Sequence, residues 1–392
     1  MIQILDKSKC SGCSSCMNIC PVSAIEMFED EEGFIYPRVD VTRCIDCGCC
    51  DKVCPFNDEY HKCPKENRSF QSFYYAAQLK KKAELKEVSS GGAFWGFAQA
   101  VLMHNGVIYG AVQKNVDEIY HIRAERIEDA KEIRRSKYLP SKINRCFQQV
   151  KNDLRNGKMV LFSGTGCQIA GLNGYLGKTY KLLYTCEVVC HGIPSLQAWR
   201  SYKLEHERMV HKSITDIVFR DKTAGWSKNQ YKVSYSDGTV EYKRSTIHTF
   251  HSGYLQGLFY RPSCGQCPFA LTPRVADITL ADYWQYKGRF HSKESDLGVS
   301  LISINNDRGL EILKDALKFM EVESTSKEKA FNSCKHLNCH PIENPQRQAF
   351  IDLMLGKGYH VAAKRFIKRD SPKIKKVLTK LYHKINKYAN NV

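Results

Sequence analysis

The sequence predicts an α+β protein: a small N-terminal domain, a larger α/β domain after it, and a basic helical C-terminal tail. Three observations carry this. A four-cysteine run occurs twice near the start, each copy ending in Cys-Pro. From about residue 71 to 350, short apolar runs of strand length alternate with helical stretches. The final stretch, KRFIKRDSPKIKKVLTKLYHKINKYANNV, sets apolar residues at helical spacing on a lysine-rich background.

The first domain is drawn at residues 1–60. Cys10, Cys13, Cys16 and Cys20 recur as Cys44, Cys47, Cys50 and Cys54, followed by Pro21 and Pro55. Between the copies, EMFEDEEGFIYPRVD reads as a strand, an acidic turn at Gly33 and a second strand. The spacing Cys-x2-Cys-x2-Cys-x3-Cys-Pro is that of bacterial two-cluster ferredoxins, so a ferredoxin-like dicluster domain with two 4Fe-4S clusters is expected. Three thiolates on a tight loop reach three irons of one cubane. The fourth starts a helix that points away and ligates the other cubane. One cluster is therefore expected on Cys10, Cys13, Cys16 and Cys54, the other on Cys44, Cys47, Cys50 and Cys20. Ser11, Gly12, Ser14 and Ser15 in one copy, and Asp46 and Gly48 in the other, are small or turn-forming and let backbone N–H groups approach the sulfurs. Zinc also takes paired cysteines, but has no need of four-cysteine runs ending in Cys-Pro. Cys49, beside Cys50, reads as a bystander thiol.

Residues 57–70 are polar and turn-rich and read as a linker. In the larger domain, drawn at 71–350, strands are expected at 106–112, 158–164, 181–189, 276–284 and 298–306. A hairpin is expected at Asp237-Gly238, and a buried helix after the turn Ser89-Ser90-Gly91-Gly92. Glycine at a helix start lets backbone N–H groups approach a phosphate, although a plain glycine turn reads the same way. A second glycine-rich loop, Ser163-Gly164-Thr165-Gly166-Cys167-Gln168, follows a strand, where open α/β sheets bind ligands. Cys190-His191-Gly192-Ile193-Pro194-Ser195 also follows a strand, and Cys264-Gly265-Gln266-Cys267-Pro268 precedes one. Cys167, Cys190, Cys264 and Cys267 make a full thiolate set for a third 4Fe-4S cluster; the alternative is that some are buried structural cysteines. Cys186 is a possible substitute, while Cys334 and Cys339 are too loosely spaced.

The whole chain has 392 residues, 18 cysteines and a formal net charge of +18. Tight cysteine groups without a secretion signal favour metal binding in a reducing compartment, the cytoplasm. No apolar run reaches the length of about eighteen residues that a membrane span needs. The basic charge reads as a solvated surface with a basic tail at 351–392. No aromatic-rich basic motif supports nucleic-acid binding. Attraction to an acidic redox protein or a phosphate-bearing cofactor is a further reading of the charge. Ser/His/Asp hydrolase signatures and a phosphate loop are absent from the sequence.

In order, SSGGAF at 89–94, SKYLPS at 136–141, GTGCQ at 164–168, CHGIPS at 190–195, CGQCPF at 264–269 and ADITLADYW at 276–284 resemble the coenzyme F-420 hydrogenase/dehydrogenase beta-subunit family, in the form fused to an N-terminal dicluster ferredoxin. Two departures are Gly166, where the family loop usually has proline, and Ala281, where it usually has glycine. The resemblance implies a flavin-binding α/β domain, FAD, a further 4Fe-4S cluster, and electron transfer between clusters and a small-molecule two-electron acceptor such as a deazaflavin coenzyme. The alternative is a non-enzymatic electron-transfer subunit docking on a separate catalytic protein. FAD phosphates are then expected near Ser89, Ser90, Gly91, Gly92 and Thr165, with Lys137 neutralising phosphate or sitting near the flavin. Tyr138 is either a stacking ring or a core aromatic, Trp226 a pocket wall or a loop anchor. His191 reads as structural, and Asp277 and Asp282 flank a buried strand, Asp282 orienting the flavin site.

Overall fold

The computed structural model describes residues 1–57, 61–244, 249–291 and 296–368. The dicluster domain consists of two five-residue helices, Ser15–Ile19 and Cys49–Val53, and the antiparallel hairpin β1 (Ile25–Glu29) and β2 (Ile35–Val39). The turn at Gly33, with φ +83°, closes the hairpin.

The larger domain is built on a nine-stranded mixed sheet. Its strands in chain order are β3 (Phe73–Leu79), β4 (Val107–Asn115), β5 (Glu118–Ala124), β6 (Ser141–Lys142), β7 (Val160–Thr165) and β8 (Leu183–Val188). A separate three-stranded antiparallel sheet follows: β9 (Ile214–Asp221), β10 (Gln230–Tyr235) and β11 (Val240–Arg244). The main sheet is then completed by β12 (Ile278–Asp282), β13 (Ser300–Ile304) and β14 (Met320–Thr325), in the order β14-β3-β13-β12-β8-β7-β4-β5-β6.

Its centre is four parallel strands, β12, β8, β7 and β4. Parallel strands are covered on both faces, which is why Val160, Leu161 and Phe162 form a continuous apolar run and are all buried. The helix Ala93–Met103 packs on one face with Trp95, Phe97 and Val101 in the core. Cys146–Arg155 and Gly166–Leu176 bring Phe147, Val150, Ile169 and Leu172 into another apolar cluster with Phe162. Burying one such side chain contributes roughly 1.5–3 kcal/mol. The four carboxyl ends lie together, and from them run the loops holding Cys167 and Cys190.

Two segments differ from their sequence expectations. Residues 57–70 contain the helix Lys65–Ser69, and Asn67 is buried, donating to the carbonyls of Arg274 and Ala276 at 2.9 Å each. That segment is stitched to the large domain instead of linking freely. The first part of the expected tail forms the helices Arg347–Lys357 and Tyr359–Phe366, whose Phe350, Tyr359 and Ala362 are fully buried with Trp199 and Tyr202. The rest of the tail, from residue 369, lies outside the described residues. Among the described residues no helix is long and apolar enough to cross a membrane.

Asp277 ties β12 to its neighbours. Its carboxylate accepts from the Thr185 amide (2.6 Å) and hydroxyl (2.8 Å), Asn306 Nδ2 (2.6 Å) and Arg308 Nη2 (2.8 Å). Asp277→Ala leaves these buried donors unpaired and is expected to cost about 3 kcal/mol, read as a lowered denaturant midpoint of the large domain.

Candidate functional site

The two cysteine loops share a backbone as well as a spacing. Gly12 and Ser14 in the first, and the equivalent Asp46 and Gly48 in the second, all have positive φ. Each loop places one glycine and one small or turn-forming polar residue at the two left-handed positions, curling the loop around its sulfurs. Backbone amides reach them: Gly12 N to Cys10 Sγ at 3.4 Å, Ala24 N to Cys20 Sγ at 3.2 Å and Ile2 N to Cys50 Sγ at 3.2 Å.

Cys10, Cys13, Cys16 and Cys54 line one cavity, and every pair among them is close enough for the charge of one to act on another. Cys20, Cys44, Cys47 and Cys50 line a second. The fourth cysteine of each run has crossed to the other set. Cys49 lines the second cavity too, and its backbone and side chain hydrogen-bond Cys47, holding that thiol below its usual range. Cys16, Cys20, Cys50 and Cys54 meet in a single apolar cluster between the cavities.

A third thiol set assembles from four separate places. Cys167 stands in the first turn of the helix after β7, and Cys190 two residues past β8. Cys264 lies in the 3-10 helix Pro262–Gln266, and Cys267 caps it. Every pair among these four interacts. Burial, reinforced by neighbouring thiols, pushes Cys190 and Cys264 up to about 12 and Cys267 higher still. Such a set stays protonated unless a cation replaces the protons. Among the described residues no three His, Cys, Asp or Glu side chains converge as ligands of one ion do. A tetrahedral zinc site would draw sulfurs to roughly 3.8 Å of each other, given Zn–S bonds of about 2.3 Å. The thiolates around a cubane bind different irons and stand farther apart. Cys186 is fully buried in β8 and interacts with Glu187 and Asp277, outside the set. Cys334 packs against the apolar cluster that includes Tyr283, and Cys339 is exposed.

The third set lies beside the first. Cys13 and Cys167 are near enough for the charge of one to act on the other, and the Ser11 hydroxyl, buried with no other partner, stands beside the Cys167 thiol. The helix Gly166–Leu176 makes this approach possible. A Cβ on Gly171 would lie 2.9 Å from Cys13 Sγ, and one on Gly174 2.3 Å from the Val53 carbonyl.

The residues expected to hold flavin phosphate are engaged within the protein. The Gly91 and Ala93 amides donate to Ser300 Oγ at 2.9 and 3.3 Å, and the Gly92 amide to the Ser89 carbonyl at 3.0 Å. The Ser90 hydroxyl donates to the Val299 carbonyl at 2.6 Å, and the Ser89 hydroxyl pairs with Ser136 at 2.8 Å. The turn therefore anchors its helix to β13 and does not present amides to an anion. Lys137 Nζ donates to three carbonyls, Glu132 and Ile133 at 3.0 Å and Arg134 at 2.6 Å, which engages all its protons. It closes the end of the short helix Ile127–Lys131. Thr165 caps the helix that carries Cys167; its amide donates to Gln168 Oε1 at 2.9 Å and its hydroxyl meets Cys167 Sγ at 3.1 Å.

Tyr138, Trp226 and Asp282 are brought together by Arg220, which pattern reading missed. Arg220 Nη1 donates to Asp282 at 2.8 Å and lies 3.4 Å from the Tyr138 hydroxyl. Trp226 stacks on Trp284 at 4.3 Å and donates to Asp282 at 3.1 Å. His191 sits among Tyr254, Tyr260 and His336, and burial lowers it to about 4, so it is neutral. Arg274 and Glu187 form a buried ion pair at 2.6 Å beside the third set. Arg261 and Arg274 flank the Cys264/Cys267 segment, and a cation so near clustered cysteines was the signal available for them.

Residues 9–57 match the family model of the 4Fe-4S dicluster domain. Residues 157–330 match that of the C-terminal part of the coenzyme F420 hydrogenase/dehydrogenase beta subunit. Among solved structures, a chain from the xenon-derivatized F420-reducing [NiFe] hydrogenase complex of Methanosarcina barkeri aligns at 17% identity and a TM-score of 0.44, over 71% of this chain and 92% of that one. No curated protein matches the chain.

Gly166 has a spatial reason. A Cβ there would lie 2.8 Å from Glu187 Oε2 and 3.0 Å from the Phe269 carbonyl. Gly166→Ala is expected to destabilise the protein by about 1–3 kcal/mol and to displace Cys167, read as a lowered unfolding midpoint with reduced iron.

Proposed function

We propose that this chain, an iron–sulfur electron-transfer protein related to coenzyme F420 hydrogenase beta subunits, passes electrons between an external redox partner and a small two-electron acceptor. The observation that carries the reading is the close approach of the helix bearing Cys167 to the first thiol set, where a Cβ on Gly171 would lie 2.9 Å from Cys13 Sγ. In this reading Cys10, Cys13, Cys16 and Cys54 hold one cluster, Cys20, Cys44, Cys47 and Cys50 a second, and Cys167, Cys190, Cys264 and Cys267 a third. Soft, sulfur-only donors at this spacing suit cubanes, which supply one-electron steps. The second set is the outward one, since Cys47 is exposed. The third lies at the carboxyl ends of the parallel strands, where such sheets bind ligands.

A flavin belongs to this reading on the strength of the family segment, because flavins join one-electron carriers to two-electron acceptors. The amides of Gly91 and Gly92 and the ammonium of Lys137 do not fit its phosphates, being engaged elsewhere. That observation favours a second reading, an electron-transfer subunit that docks on a separate catalytic protein and carries no flavin. Eighteen cysteines, most of them in short-spaced groups of metal-ligand type, support a reducing compartment such as the cytoplasm.

Purified without oxygen, the protein is expected to hold about twelve irons and as many sulfides per chain, four irons to each cubane; one bound flavin beside them supports the enzyme reading. About eight irons without flavin sinks the enzyme reading and leaves the docking role. Cys264→Ser and Cys267→Ser are expected to lower the iron by about four per chain. Cys186→Ser is expected to leave it unchanged.

A further inference from the structure

Arg261 belongs to the large domain but serves the first cysteine loop. It is 2% exposed. Its backbone amide donates to the Ile193 carbonyl at 2.8 Å, and its carbonyl accepts from Cys264 N at 2.9 Å, which fixes its root in the third thiol set. Its guanidinium reaches across the domain boundary. Nε donates to the Cys10 carbonyl at 2.7 Å, and Nη2 to the Ile35 carbonyl at 2.8 Å and to Cys10 Sγ at 3.6 Å. The face of the group covers the Tyr36 ring at 4.2 Å. It also acts electrostatically on Cys167 and Cys264.

A guanidinium keeps its charge, and a buried charge without a counter-ion is costly. Among the described residues no carboxylate pairs with Arg261. The nearby carboxylates have their own cations: Asp30 binds Lys7 at 2.7 Å, and Glu32 binds Arg347. The groups left to face Arg261 that turn anionic when a cluster replaces their protons are cysteine sulfurs: Cys10 on one side, Cys167 and Cys264 on the other.

We infer that Arg261 is a positioning residue that acts as the shared counter-ion of the first and third thiol sets and raises the reduction potential of the cluster on Cys10, Cys13, Cys16 and Cys54. The inference rests on the assignment of those four cysteines to one cluster. Reduction adds one electron and no proton, so the reduced form carries one more negative charge. A fixed cation and an N–H donor at a ligand sulfur both favour that form. The same side chain holds the dicluster domain against the Cys264 segment.

The test is an anaerobic redox titration followed by electron paramagnetic resonance on the whole protein, comparing the parent with Arg261→Gln and Arg261→Lys. In Arg261→Gln, one couple is expected to move to lower potential by about tenfold in its reduced-to-oxidised ratio, about 59 mV for one electron. The couple of the third set, which feels the charge without an N–H donor at its sulfurs, moves down by less, and that of the second set stays in place. Arg261→Lys keeps the charge but not the fork, and is expected to recover part of the shift. Couples that coincide with the parent's in Arg261→Gln at full iron overturn the inference. Should Arg261→Gln lose iron, Arg261→Lys decides alone: a smaller downward shift of one couple supports the inference and an unmoved set overturns it. The parent's iron count tests the assignment separately. About eight irons removes the third cluster and leaves the effect on the first measurable.

Discussion

Burying thiols in groups is the constraint on which this fold depends. A thiol removed from water resists ionisation, and each neighbouring thiol makes it harder. Cys13, Cys16, Cys190, Cys264 and Cys267 are all pushed upward in this way. Protonated, such groups bury like small apolar side chains; they become ligands only if something positive takes the place of the protons. Much of the neighbouring architecture prepares for that. The left-handed loop positions, the backbone amides at the sulfurs and the glycine face of the helix Gly166–Leu176 all bring donors or thiols close.

The parallel centre of the large sheet supplies the other half of the arrangement. Its carboxyl ends deliver Cys167 and Cys190 from neighbouring strands, while Cys264 and Cys267 arrive from a 3-10 turn just before β12. Residues far apart in sequence therefore meet without long loops. The dicluster domain then docks onto this end through close backbone contacts, the Arg200–Glu29 and Arg347–Glu32 pairs, and the buried guanidinium of Arg261.

Repetition and continuous hydrophobicity made much of this legible in the sequence. The cysteine repeat shows its spacing directly; MVLF reads as a strand because no polar residue interrupts it, and LLYTCEVV and ADITLAD because apolar and β-branched residues dominate them. What was not legible depends on partners distant along the chain. Gly91 and Gly92 looked like an anion loop because nothing nearby revealed that the Ser300 hydroxyl would take the Gly91 amide and tie the turn to β13. Asn67 looked like part of a polar linker, since its burial requires carbonyls at Arg274 and Ala276. Lys137 looked free because its acceptors are the loose carbonyls of its own preceding turn. Arg220 and Arg261 each look like surface cations until the fold encloses them.

The exchange of Cys20 and Cys54 between the two loops has a consequence for how the domain is made. With each sulfur group drawn from both ends of the segment, a bridge that joins the crossed cysteine, Cys54 or Cys20, to its set also closes a chain loop that contains the β1–β2 hairpin. Two such bridges enclose the same hairpin, each shortening the loop the other must close. Since closing a shorter loop loses less entropy, the second bridge forms more readily than the first. The two closures are thereby coupled through the hairpin they both enclose.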